Sequence, residues 1–125
     1  MIVGIGTDSI SCARIAAFGP QRLAKRILTP EEQAYLPTSE KRRIEWMAGR
    51  FAAKEALSKA AGTGIGAMVN FCDITVLPDE RGKPIARLSK VAQTRLGWNS
   101  DIAIHLSITH TEEQATAFVV VEQRD

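Results

Sequence analysis

Asp8 and Glu55, two acids far apart in the chain, and Lys59, one helical turn beyond the second, are the residues best suited to chemistry on a phosphate. Magnesium binds through one or two carboxylates and completes its octahedron with substrate phosphates and water, so Asp8 and Glu55 would suffice as its protein ligands. Glu55 sits in Arg50-Phe51-Ala52-Ala53-Lys54-Glu55-Ala56-Leu57-Ser58-Lys59. At about 100° per residue, Arg50, Lys54, Glu55, Ser58 and Lys59 are expected on one half of a helix, with Ala52, Ala53, Ala56, Leu57 and Ala60 on the other. One carboxylate among three cations suits a metal-bound phosphate. A plainer account treats the charged half as solvated, with Glu55 and Lys59 an i,i+4 pair worth a few tenths of a kcal/mol. Asp8 would then be an ordinary turn or capping residue. This helix alone does not choose between the two.

Other chemistries find less support. Gly62-Thr63-Gly64-Ile65-Gly66 lacks the Gly-Lys-Ser/Thr ending of a Walker loop and follows a helix instead of preceding one, so it reads as a helix stop. Its amides could still lie near a phosphate. His105 is expected on the polar side of a strand and His110 at a strand end, beside Thr109 and Thr111. Ser107 and His110 are not placed to act as a nucleophile and its base.

The acids need a scaffold, and the chain supplies its signals. Ile2-Val3-Gly4-Ile5-Gly6 predicts a short strand, with glycines where backbone or ligand approaches closely, running into a turn or cap at Thr7-Asp8-Ser9. Helices are expected over residues 12–18 and 21–28, divided by Gly19-Pro20. Thr29-Pro30-Glu31-Glu32 has the form of a capping box, with Pro30 in the first turn and Pro37 ending that short helix. A long helix then spans about residues 40–61. In the second half, strands are expected at 71–77 and 84–88, around the polar loop Asp79-Glu80-Arg81-Gly82, followed by a helix at 89–96. Ile102, Ile104, Leu106 and Ile108 alternate with Ala103, His105, Ser107 and Thr109, the pattern of a half-buried strand. A last strand covers 115–121. This is one α+β domain over residues 1–125, a long helix packed on a mainly antiparallel sheet.

The 125 residues are 45% hydrophobic and 24% charged, ordinary for a globular domain. No apolar run could span a bilayer and no leader pattern opens the chain, so a cytoplasmic protein without membrane contact is expected. Cys12 and Cys72 suit a reducing compartment better than a disulfide scaffold. The net charge of +2 is unevenly spread. Residues 1–61 hold ten Lys/Arg against six Asp/Glu, and residues 62–125 hold six against eight. The basic N-terminal half should attract an anionic partner.

Five segments occur in one order: Gly4-Ile5-Gly6-Thr7-Asp8, Arg50-Phe51-Ala52-Ala53-Lys54-Glu55-Ala56, Gly62-Thr63-Gly64, Gly82-Lys83-Pro84 and Leu106-Ser107-Ile108-Thr109-His110-Thr111. With them the chain resembles the short bacterial holo-acyl-carrier-protein synthases of the 4′-phosphopantetheinyl transferase superfamily, from Met1 to about Glu122. The resemblance implies transfer of 4′-phosphopantetheine from coenzyme A to a serine of apo-acyl carrier protein, releasing adenosine 3′,5′-bisphosphate, in fatty acid biosynthesis. It implies that Asp8 and Glu55 hold Mg2+ on the pyrophosphate, that Lys59 assists the departing phosphate, and that a water at the metal takes the serine proton. Arg42, Arg50, Lys54 and His110 match positions that contact the cofactor, while Gly62, Gly64, Lys83, Pro84 and Thr109 would shape its cleft. Arg14, Arg22 and Arg26, with Leu23, match the helix that docks the acidic carrier protein. A homotrimer with active sites between subunits is implied as well. Gln114, usually aromatic, and Ser9, usually Ile or Val, depart from the pattern. The competing account is a nucleotide- or nucleic-acid-binding module, but the chain has few aromatics for stacking and no nucleic-acid motif.

Overall fold

Glycines at 4 and 6 decide how the layers meet. The computed structural model, which describes residues 1–125, opens with strand β1 (Ile2–Ser11) lying directly on the long helix α4 (Glu40–Ala60). A Cβ on Gly4 or Gly6 would collide with the carbonyl oxygen of Ala60 or Ala56. The close approach foreseen at these glycines is therefore to the chain's own helix. On the helix side, Ala52, Ala53, Ala56 and Ala60 are buried and keep the contact thin.

Between these elements lie α1 (Cys12–Phe18), α2 (Pro20–Ile27) and α3 (Pro30–Gln33). Ser11 caps α1, and Thr29 with Glu32 forms the expected capping box on α3. The second half runs β2 (Ile74–Pro78), β3 (Pro84–Leu88), α5 (Lys90–Leu96), β4 (Ile102–His110) and β5 (Gln114–Gln123). β1, β5 and β4 form an antiparallel sheet in that order, and β2–β3 is a separate hairpin beside β4. Residues 71–73, expected as strand, are a 3₁₀ turn, because Asn70 and Asp73 cap each other there.

One face of the larger sheet packs on α4 through Ala115, Ala117, Val119 and Val121. The opposite face leaves Ile5, Phe118 and Val3 exposed. α4 is covered on its other flank too: Ile27, Leu28, Ile74 and Val76 join the same core. A helix covered on two flanks has no wide solvated half. No helix is long and apolar enough to cross a membrane.

Candidate active site

Strand β1 does not end at Gly6. It continues to Ser11, pairing Asp8 with Ala117 of β5, so Asp8 is a mid-strand residue and not a cap. The pleat sends alternate side chains to alternate faces, and Asp8 shares the α4 face with Gly4, Gly6 and Ile10. This brings it to the C-terminal part of the helix. Lys59 Nζ lies 3.0 Å from Asp8 Oδ1 and 3.1 Å from the Thr7 carbonyl oxygen, donating to both. The Glu55 carboxyl is pushed above its ordinary range, first by partial burial and then by the charge of Asp8, against the pull of Lys59 and Arg14. Asp8 thus disfavours the charged form of Glu55, and a cation between them would relieve that repulsion. The chain has no group of three or more His, Cys, Asp or Glu side chains able to hold a metal. Two carboxylates with an open side suit magnesium, whose remaining ligands come from phosphate and water.

A second cluster lies toward the other end of α4. A cavity of about 320 Å³ has Arg42, Glu45, Trp46, Arg50, Pro84 and His110 among its lining residues. None of the salt bridges engages these charged residues. Arg50 Nε is the single buried side-chain nitrogen or oxygen without a partner. Two guanidinium groups and the His110 imidazole converge here on empty space, with Glu45 as the one acid in the wall, an arrangement that suits a multiply charged anion. Sequence reasoning named Arg42, Arg50, Pro84 and His110 but missed Trp46, whose i,i+4 spacing to Arg50 was the available signal.

Other expected residues fall elsewhere. Lys54, expected on the charged half of the helix and toward the cofactor, is fully buried together with Ser58. Its ammonium donates to the carbonyl oxygens of Ile27 and Phe71 and to Glu32 Oε1, the last at 2.6 Å, so all three of its protons are used. Glu32 in turn accepts from the amides of Thr29 and Val76. Lys54 therefore joins α2, α3 and β2 to α4 and has no proton left for a phosphate. Burial pulls its pKa down against the raising charge of Glu32.

Gly62 and Gly64 follow α4 with positive φ, and their amides do not line the cavity. The amides of Thr63 and Gly64 are instead bonded to the Ser58 carbonyl oxygen. Lys83 is exposed on the loop before β3, and Thr109 lies on the outer sheet face opposite Thr116, so neither lines the cavity. Of the departures, Ser9 bonds Thr116 across strands at 2.7 Å, and Gln114 is exposed at the start of β5.

Arg14, Arg22 and Arg26 are exposed on α1 and α2. Leu23 is only 5% exposed and belongs to the core, so it supports the helix from beneath and does not form its contact surface. The exposed apolar residue at this surface is Phe18, with the Arg14 guanidinium 5.9 Å from its ring centroid. Arg14 also bears on the charge of Glu55, so the basic surface adjoins the acid pair.

Residues 4–119 match the 4′-phosphopantetheinyl transferase superfamily. The chain is 48% identical to a holo-[acyl-carrier-protein] synthase of Bacillus subtilis, with 98% of each protein covered. It superposes with a TM-score of 0.85 on the holo-(acyl-carrier-protein) synthase of Bacillus anthracis in complex with CoA (3′,5′-ADP), at 45% identity over 98% of both chains. The Helicobacter pylori holo-[acyl-carrier-protein] synthase in complex with coenzyme A gives 0.81, at 34% identity over 94% of this chain and 99% of that one.

Proposed function

The chain belongs to the holo-[acyl-carrier-protein] synthases of the 4′-phosphopantetheinyl transferase superfamily, and we propose that its two charged clusters divide the work of one transfer reaction. It is a phosphopantetheinyl transferase that modifies apo-acyl carrier protein from coenzyme A. The bond between the carrier serine oxygen and the pantetheine-bearing phosphorus forms. The bond from that phosphorus to the bridging oxygen breaks, adenosine 3′,5′-bisphosphate leaves, and the serine proton passes to water.

Asp8 and Glu55 would hold Mg2+, which supplies charge neutralisation on the pyrophosphate. Lys59, already at the Asp8 carboxylate, places an ammonium beside the charge that accumulates on the departing phosphate. Arg42, Arg50 and His110 bind the anionic nucleotide end in the cavity. Arg14, Arg22 and Arg26 meet the acidic carrier and deliver its serine next to the acid pair. The free thiols Cys12 and Cys72 suit a reducing cytoplasm.

The observation that carries this reading is the pairing of like charges at Asp8 and Glu55, held by a strand and a helix in a chain similar along almost its whole length to these synthases. The homotrimer is supported by a different fact. Arg50 and Glu55 lie about 140° apart around α4 and face opposite flanks, so one copy does not close both clusters around one ligand. A neighbouring copy docked on the exposed Ile5 and Phe118 face could bring its cavity to this chain's acids.

The test is an apo-carrier protein incubated with the chain, coenzyme A and magnesium. Its mass should rise by one phosphopantetheine arm, and only with the metal present. An unchanged carrier mass, with the chain folded and coenzyme A in excess, would sink the assignment.

A further inference from the structure

Trp46 lines the cationic cavity one helical turn before Arg50, and no step of the transfer uses it. The Arg50 guanidinium carbon stands 4.3 Å from the centroid of the Trp46 ring. Arg50 makes no salt bridge, its Nε is buried without an acceptor, and burial pulls its pKa down against the charge of Glu32. A long cation left in this condition would ordinarily swing toward water, since an unsatisfied buried donor is costly. Here the guanidinium carbon lies over the face of the Trp46 ring. Stacking of this kind holds the plane but leaves the N–H groups at its edge free for in-plane hydrogen bonds.

We propose that Trp46 is a positioning residue for coenzyme A: its ring holds the Arg50 guanidinium flat within the cavity, so that the in-plane donors face a phosphate before the ligand arrives. This rests on the cavity being the phosphate site of the transfer reaction. The gain is preorganisation, because arginine otherwise loses rotamer freedom on binding. Lysine at position 50 would retain the charge without a plane to stack, and methionine at 46 would retain bulk without the π face.

The experiment is calorimetric titration of adenosine 3′,5′-bisphosphate into the wild type, Trp46→Met, Trp46→Phe, Arg50→Lys, Arg50→Ala and the Trp46→Met/Arg50→Ala double variant. Melting curves confirm that each is folded. Trp46→Met should weaken binding about tenfold, and Trp46→Phe should recover most of the loss. Arg50→Lys should also fall well below wild type, a result independent of whether position 46 tolerates change. In the Arg50→Ala background, Trp46→Met should cost nothing further, because the guanidinium it positions is gone. In turnover, KM for coenzyme A should rise more than kcat falls in Trp46→Met. The full Trp46→Met loss persisting without Arg50 would overturn the proposal, since the ring would then touch the ligand or merely pack. Wild-type binding by Trp46→Met or Arg50→Lys would overturn it equally. Failure of the underlying site shows differently: Arg50→Ala would bind as tightly as wild type.

Discussion

The two ends of α4 carry opposite electrostatic problems. At the C-terminal end, Asp8 and Glu55 repel each other, and Lys59 has already paired with one of them. At the N-terminal end, Arg42, Arg50 and His110 line a cavity with no anion among their salt-bridge partners. One end needs a cation and the other an anion. Under the proposed function, a magnesium-bound pyrophosphate carrying a further phosphate would supply both, so neither cluster by itself would define the ligand. Between the ends sits the Lys54–Glu32 pair, a charge match completed entirely inside the protein. Its charges are satisfied by each other and by the backbone, unlike that of Glu55, which no salt bridge engages.

That contrast can be broken at several points. The largest effect should come from the middle. Lys54→Met or Glu32→Gln removes one partner of a fully buried pair and should cost about 3–5 kcal/mol of unfolding free energy in urea titrations. A loss below about 1 kcal/mol would return Lys54 to the pool of ligand-binding cations. Next come the acids: Asp8→Asn and Glu55→Gln should each lower turnover at least tenfold, about 1.4 kcal/mol of barrier, with the fold intact. Full activity in either variant would remove that residue from the metal site. Co-expressing Asp8→Asn with Arg50→Ala should restore about a quarter of the sites if the clusters meet across copies, and none if they meet within one chain.

A smaller effect has the opposite sign for stability. The carboxyl of Glu55 is raised above its ordinary 4.5 in the folded chain, so the fold binds that proton more tightly than the unfolded chain does. Its contribution is fully present below the unfolded value and is lost as pH rises through the folded one. Metal-free Glu55→Gln should therefore melt higher than wild type at pH 7, and the gap should close toward pH 4. Added magnesium should raise Tm in wild type alone. A Glu55→Gln variant that melts lower at pH 7 would mean that the acid is not strained. The smallest expected change lies at the rim, where Arg14→Glu or Arg26→Glu should raise KM for the carrier more than for coenzyme A. Equal effects on both substrates would remove the docking role.

Local signals survived folding well. The Thr29–Glu32 capping box, the helix Lys90–Leu96 capped by Ser89 and the alternation in β4 depend on neighbours a few residues away, and all three form close to where their sequences indicate. Asp8 was recognised as chemically important but placed in a turn, because nothing near it shows that residues 114–122 will pair alongside and carry the strand on to Ser11. The face assignment of α4 placed Lys54 wrongly for a related reason. A helical wheel sorts residues by angle, but the number of packed flanks depends on elements contributed later, here the segment around Phe71 and Val76. Phe18 and Trp46 were missed, and Glu32 was read only as a cap, because their partners, Arg14, Arg50 and Lys54, give them this meaning only in space.

From its order of residues alone, this chain offered two acids suited to magnesium, one helix face with a carboxylate among three cations, and a basic N-terminal half. The finer roles of Lys59, the cavity arginines and the basic helix came from the family resemblance. The chain also determined the short-range elements, since caps, breakers and alternation act over a few residues. Tertiary structure decided which charges are consumed and which stay open. Burial and distance set the cost of an unpaired charge, and neither exists until the strand and helix meet at Gly4 and Gly6.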